Sequence, residues 1–99
     1  MAVAAQERET LNLSIITPEG EAFTGEIQAA IVTTTAGTIE VLPGHEALLS
    51  VLAPGPLVLR LPGSEGRKAF TVAGGFIQVK NEDALVLADA LKDAAVPDD

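Results

Sequence analysis

The stretch LVLRLPGSEGRKAFTVAGGFIQVKNEDALVLA, residues 57–88, decides the fold because apolar residues recur at every second position between closely spaced turn signals. Leu57, Leu59 and Leu61 form the first alternating set, which is typical of a strand with one buried face. The segment PGSEG predicts a hairpin tip, and a second strand runs back from Arg67. The glycines of AGG introduce FIQVK, and NED separates FIQVK from ALVLA. Short strands joined by tight turns predict antiparallel β-structure.

The first third of the chain shows the same period of two. Apolar and polar residues alternate from Leu11 to Ile15, which predicts a half-buried strand. The turn signals PEG and TG flank Glu21 to Phe23, where we expect a very short strand. Ile27, Ala29 and Ile31 alternate again and predict the next strand.

The middle of the chain continues the series. TIEV at 38–41 predicts a strand that Pro43-Gly44 ends. Leu48 to Leu52 is apolar and short enough for a buried strand, and APGP at 53–56 predicts the next turn. Counting along the chain, we predict an all-β fold, an antiparallel β-sandwich or barrel of about eight to ten short strands.

The carboxyl-terminal end fits two structures. We predict a strand at Ala84 to Ala88, but DALVLADALKDAAV also has the composition of a helix. One or two helical turns are therefore allowed from Asp89, with Pro97 ending them. The predicted organisation is a flexible arm at 1–10, a β-sandwich domain at 11–88 and a short tail at 89–99.

The composition of the chain excludes several classes of site and partner. The 99 residues suit one domain, and an apolar fraction of 47% is enough for a core. Without cysteine there is no disulfide, thiol nucleophile or thiolate metal site. A net charge of −8, with scattered Lys and Arg, argues against nucleic acid and direct lipid insertion. The start lacks the pattern of a signal peptide and no apolar run reaches membrane-spanning length, so we expect a soluble intracellular chain.

The residues that could carry chemistry do not form a recognisable site. His45 is the only histidine, and no nucleophile-elbow sequence surrounds Ser14, Ser50 or Ser64. Glu46 adjoins His45, but neighbours on an extended chain point to opposite faces. In PGSEGRK the glycines match neither the Walker spacing nor the dinucleotide-binding fingerprint of phosphate-binding loops. In VAGGF the glycines suit a bulge or a close backbone approach. We predict no catalytic residue, no metal site and no cofactor, and a domain that acts through its surface.

Four segments together carry a family resemblance. ITPEGEAFTGEI, TTAGTIEVLPGHEALLSVLAPG, FTVAGGFIQV and ALVLADA occur in this order with family-like spacing. Over residues 11–91 they resemble the amino-terminal domain of the epsilon subunit of F-type ATP synthases, called delta in mitochondria. The resemblance implies a β-sandwich with a non-catalytic role in the central stalk, where it joins the gamma subunit to the rotating c-subunit ring. It also implies attachment, through the complex, to the cytoplasmic face of a bacterial plasma membrane.

The resemblance also implies which residues meet these partners. The position matching Thr38 is commonly acidic and that matching Glu40 commonly glycine, so the carboxylate has moved by two residues. Because residues i and i+2 of an extended segment point the same way, we hypothesise that Glu40 replaces the missing acidic residue against a basic c-ring loop. The implied c-ring contacts are Thr35, Gly37, Thr38, Ile39, Glu40 and Val41.

The implied gamma contacts are Thr17, His45 and Ser50. The usual family segment GHAPLL reads GHEALL here, so Glu46 and Ala47 depart from the pattern. These two departures bear on the detail of the implied gamma contact and not on its existence.

Typical bacterial relatives continue beyond the sandwich into two helices that can inhibit ATP hydrolysis. In some relatives the start of that helical segment also binds ATP. After Asp89 this sequence has only ALKDAAVPDD, so we expect neither inhibition by helices nor ATP binding.

The alternative interpretation, from another class of function, is a free-standing carbohydrate- or peptide-binding β-sandwich module. Three Phe without Trp or Tyr argue against its usual aromatic platform.

Overall fold

The computed structural model describes residues 10–44, 47–63 and 66–96. Within those ranges all regular structure is strand, which confirms the all-β prediction, and no helix there is long and apolar enough to cross a bilayer. Residues 1–9 of the arm predicted at 1–10, together with His45 and Glu46, lie outside the described residues. The strands are β1 Leu11–Thr17, β2 Gly20–Ile27, β3 Ala29–Thr34, β4 Gly37–Val41, β5 Leu48–Arg60, β6 Arg67–Val72, β7 Gly75–Lys80, β8 Asp83–Ala88 and β9 Leu91–Ala94.

The long strand β5 joins two halves of the sheet. Its first part pairs with β7, and the sheet continues through β8 and β1 to β2. Its second part pairs with β3 on one side and β6 on the other, with β4 and β9 beyond them. The pairings are antiparallel except for β1 with β8. Both halves contribute to one core, whose fully buried side chains include Leu13, Ile15, Leu57, Leu59 and Ile77.

The turn predicted at APGP is wrong, because residues 53–56 lie inside β5. Pairing with β7 ends at Leu52, pairing with β6 begins at Gly55, and the β3 register skips residues 53–56, so Pro54 lies where the ladder changes partner and Pro56 just after it. A missing N–H is tolerated at such a break. A Cβ on Gly55 would lie 3.2 Å from Thr33 Oγ1, so glycine lets β3 pass closely.

The predicted pattern from residue 21 to residue 31 is also wrong in two respects. β2 runs without a turn through Gly25, over which the Phe23 ring packs. A bend at Gln28 then separates β2 from β3, so the alternation does not continue across it. Ala30 and Val32 face the core, whereas Ile31 is 38% exposed.

The carboxyl-terminal helix allowed by composition is replaced by strand β9. Leu91–Ala94 pairs with β6 in antiparallel register, and Leu91 packs against the core. Pairing with the open edge of β6 outweighs a helix propensity of only tenths of a kcal/mol per residue. The strand region therefore extends to Ala94, beyond the predicted boundary at Ala88.

The close backbone approach predicted at VAGGF is present. Gly74 and Gly75 have φ angles of 137° and 138°, which side chains of L-residues rarely adopt. A Cβ on Gly75 would lie 1.9 Å from the carbonyl oxygen of Leu87. Glycine at this position is therefore required for β7 to lie against β8.

Candidate interaction surface

Four exposed apolar side chains form a continuous row across the first half of the sheet. Val51 on β5 pairs with Phe76 on β7. Phe76 pairs with Leu87 on β8, and Leu87 with Ile16 on β1. Directly paired residues point to the same face of a sheet, and these four are 37% to 51% exposed. The row therefore lies on the outer face, away from the core.

Leu49 extends this row into a patch. It is two residues before Val51 on the same face and is 73% exposed. Its cross-strand partner is Gln78, followed by Leu85 on β8. Contiguous exposed apolar residues mark interaction sites more often than isolated ones do. We call the set Ile16, Leu49, Val51, Phe76 and Leu87 the apolar face.

The same outer surface becomes polar toward its other end. There Lys80 pairs with Asp83, and Asp83 pairs with Asn12. Asn12 Nδ2 donates a hydrogen bond of 3.1 Å to Asp83 Oδ1, and Glu26 on β2 completes the row. A partner would thus meet an apolar region on one side and a polar region on the other.

The sequence prediction missed the apolar face because it treated Leu48 to Leu52 as wholly buried. In the structure Leu48 and Leu52 contribute to the core, whereas Leu49 and Val51 point outward. Leu49 and Val51 are as apolar as Leu48 and Leu52, so the pattern of apolar residues does not show which side of the strand faces the core. A usable sequence signal lies in β7 instead. Ile77 and Val79 fill its buried face, so the large apolar side chain of Phe76 has to point outward.

The turn between β3 and β4 is held by a buried threonine. Thr34 Oγ1 accepts a hydrogen bond from the N–H of Ala36 at 3.1 Å and donates one to the carbonyl oxygen of Gly37 at 2.7 Å. The N–H of Thr35 donates to the carbonyl oxygen of Val51 at 3.0 Å. Gly37 has a φ of 128° that favours glycine. The turn is therefore fixed to β5 and internally braced.

The residues implied for the c ring are exposed to different degrees. Thr35, Gly37 and Thr38 are exposed, and Ile39 is half-buried against the core. Val41 is wholly buried, so its side chain is unavailable to a partner. Glu40 is exposed and faces the same side as Thr38, as its spacing predicted, and it forms an ion pair with Arg60 on β5 at 3.2 Å.

Two of the residues implied for gamma, Thr17 and Ser50, lie next to apolar-face residues along their strands. Thr17 follows Ile16, and its hydroxyl accepts from the N–H of Glu19 at 3.1 Å. Ser50 is half-buried and lies between Leu49 and Val51, on the opposite side of β5. The third residue, His45, lies outside the described residues.

Clustered ligands for a metal ion are absent from the described ranges, where no three His, Cys, Asp or Glu side chains come together. The buried side-chain nitrogen and oxygen atoms there all have hydrogen-bond partners. The features that the described residues offer to a partner are an apolar face, a braced turn next to it and an ion pair on the other half of the sheet. This fold is consistent with an all-β sandwich domain, and its exposed apolar face makes that domain a candidate for protein interaction.

Comparison with known families identifies which one. The model of the family "ATP synthase, Delta/Epsilon chain, beta-sandwich domain" matches residues 10–94. The chain belongs to this family. The ATP synthase epsilon chain of Myxococcus xanthus is 42% identical over 80 residues, a match that covers 81% of this chain and 57% of the relative. The resemblance inferred from the four sequence segments is thereby confirmed.

Two solved structures have the same fold. A chain of the Euglena gracilis mitochondrial ATP synthase matches 86% of this chain with a TM-score of 0.79 and 22% identity. A chain of the Tetrahymena thermophila mitochondrial ATP synthase central stalk and c ring matches 83% with a TM-score of 0.68 and 22% identity. This chain covers 54% and 65% of those chains, so it spans between half and two thirds of the proteins that it matches.

Proposed function

We propose that this chain is a non-catalytic central-stalk subunit of an F-type ATP synthase that couples the c ring to the gamma subunit. Family membership supports the stalk assignment, and the Tetrahymena neighbour comes from a central-stalk and c-ring assembly. In this function the domain is a peripheral membrane protein, held on the cytoplasmic face of a bacterial plasma membrane by its protein partners. Proton-driven rotation of the c ring would reach the catalytic head through gamma and this domain together.

The apolar face is the observation that carries the gamma assignment. Its five side chains come from four strands that form a continuous part of the sheet, so they are held in a fixed arrangement. A rigid apolar surface with a polar margin is typical of the core and rim of a stable protein interface. We assign the apolar face to gamma. Of the residues that the family resemblance implies for this contact, Thr17 follows Ile16 along β1, Ser50 points to the other side of β5, and His45 stays a proposed contact.

The braced turn and the β4 edge carry the c-ring assignment. Their exposed residues are small, polar or charged, which suits the polar loops of a c ring. Thr35 to Glu40 is thus the proposed c-ring contact, with Val41 supporting it from the core. The two proposed surfaces adjoin, because the turn is hydrogen-bonded to Val51 of the apolar face.

A carbohydrate- or peptide-binding module is not favoured. Such modules use several exposed aromatic rings, and the chain has three Phe with no Trp or Tyr. Phe70 is buried and Phe23 half-buried, so Phe76 is the one well-exposed ring. A single ring does not form a platform.

Binding to gamma tests the proposal. We expect Phe76→Ser to weaken binding by roughly 30-fold, because a central aromatic residue often contributes about 2 kcal/mol or more to an interface. Ile31→Ser is the matched control, since Ile31 is similarly exposed on the outer face of the other half. Affinity for purified gamma is measured by calorimetry. If the unmodified chain does not bind gamma, the proposed function is wrong; if both variants weaken binding equally, the apolar face is not the contact.

A further inference from the structure

The ion pair between Glu40 and Arg60 crosses a strand. Glu40 is on β4 and Arg60 is on β5, with β3 between them. Two interstrand spacings amount to roughly 10 Å, so a long side chain has to pass over β3. The β3 residue paired with Arg60 is Ala29, whose side chain is a single methyl group. Glu40 is paired with a different β3 residue, Ile31, which is 38% exposed, so the Arg60 side chain reaches Glu40 diagonally from the Ala29 row to the Ile31 row.

The pair lies on the outer surface of the second half of the sheet. Each member follows or precedes a wholly buried residue, Leu59 before Arg60 and Val41 after Glu40, so both point away from the core. Arg60 Nη2 lies 3.2 Å from Glu40 Oε2, with the side chains 48% and 44% exposed. Exposed ion pairs contribute little to folding, whereas charge complementarity determines partner choice and orientation. The position and exposure of this pair therefore suit recognition better than stability.

We infer that the Glu40–Arg60 pair, and not Glu40 alone, is the charged contact that this domain offers to the c ring. The facing c-ring loop then carries a cation against Glu40 and a carboxylate or carbonyl oxygen against Arg60. Arg60 is a positioning residue for the Glu40 carboxylate as well as a contact of its own. Two adjacent opposite charges fix the direction in which a facing loop can lie, which a lone carboxylate does not. This inference rests on the proposed function, since it names the chemistry of the c-ring contact.

Exchanging the two charges tests the inference. The double variant Glu40→Arg, Arg60→Glu keeps an ion pair and the net charge but reverses their order. We measure binding of the full chain to a purified assembly of gamma and c ring at low and high salt, and to gamma alone. The exchange should weaken binding to the assembly by about tenfold or more at low salt and by less at high salt, because like charges then face each other. Binding to gamma alone should not change.

A second exchange is the matched control. Lys92→Asp with Asp93→Lys reverses adjacent charges on β9, the opposite edge strand of the same half. It should leave both affinities unchanged. Equal binding of the Glu40/Arg60 exchange and the unmodified chain overturns the inference alone. Failure of the unmodified chain to bind the assembly overturns the proposed function, and the inference with it.

Single substitutions keep the inference testable if the exchanged chain does not fold. Glu40→Gln and Arg60→Gln should each weaken binding to the assembly, and the double substitution should weaken it by less than the product of the two effects. Such non-additivity is expected when two residues act as one contact. An Arg60→Gln variant that binds as tightly as the unmodified chain overturns the inference.

Discussion

The backbone N–H of Thr35 donates a hydrogen bond to the carbonyl oxygen of Val51 at 3.0 Å. Thr35 is in the β3–β4 turn, and the Val51 side chain belongs to the apolar face. The surfaces that we assign to the c ring and to gamma are thus joined by a backbone hydrogen bond between adjacent elements. The proposed coupling function requires such a connection, because a flexible link would absorb displacement at one surface before it reached the other.

Thr34 provides the first prediction, because its hydroxyl braces the turn. Thr34→Val keeps the shape but leaves the N–H of Ala36 and the carbonyl of Gly37 without their partner. We expect a loss of about 1–3 kcal/mol in the free energy of unfolding, the sum of two hydrogen bonds at a partly buried site. Urea denaturation measures this loss.

Thr33→Val is the control for that substitution. The Thr33 hydroxyl lies 3.5 Å from the carbonyl oxygen of Pro56, at the limit of a hydrogen bond. Its removal should change stability by no more than about 0.5 kcal/mol. Equal losses for the two variants would contradict the bracing role of Thr34.

Gly75 provides a second prediction. Gly75→Ala places a Cβ 1.9 Å from the carbonyl oxygen of Leu87, a contact that only displacement of β7 or β8 can relieve. We expect destabilisation of about 4 kcal/mol or more, or failure to fold. Gly20→Ala has a similar φ of 124° but open space around its Cβ, so it should cost only about 1–2 kcal/mol of backbone strain. Thermal unfolding followed by circular dichroism would separate the two, and similar melting temperatures would refute the steric argument.

The inward or outward orientation of the side chains along β5, its phase, gives a third prediction. It concerns two leucines that are three residues apart. Leu52 is buried and Leu49 is exposed, so Leu52→Ala should cost about 2–5 kcal/mol of stability and Leu49→Ala about 0.5 kcal/mol or less. Affinity for gamma should show the reverse order, with Leu49→Ala the weaker binder. Chemical denaturation and calorimetric titration on the same two variants measure both quantities. If Leu49→Ala were the less stable variant, the assigned phase would be wrong.

Sequence patterns predicted the β class and the close approach at VAGGF because both depend on local chemistry. Alternation marks a strand wherever one face is buried, and adjacent glycines mark a backbone that tolerates no side chain. Patterns failed where tertiary pairing decides. APGP resembles a turn until β5 is seen to change partners there, and the helix-forming LKDA becomes a strand because β6 has an open edge.

The candidate surface was predictable in part for the same reason. Thr35, Gly37, Thr38 and Glu40 came from a motif resemblance and are exposed, so the motif pointed to accessible positions. The apolar face could not be found from the same motif. Its members are scattered from residue 16 to residue 87, and only the register of β1, β8, β7 and β5 brings them into one row. Arg60 likewise has no sequence signal, since its proximity to Glu40 requires β3 to lie between their strands.

The last prediction concerns the displaced carboxylate on β4. Glu40→Gln should weaken binding to the assembly of gamma and c ring and flatten its salt dependence, because one attractive charge is lost. Adding Thr38→Glu to that variant should restore part of the affinity, since residues 38 and 40 point to the same side of an exposed strand. The restored contact would remain incomplete, because a carboxylate at residue 38 lies one row further from Arg60 and loses its positioning partner. Binding measured over a salt series compares the three chains, and unchanged affinity and salt dependence in Glu40→Gln would show that this carboxylate does not meet the c ring.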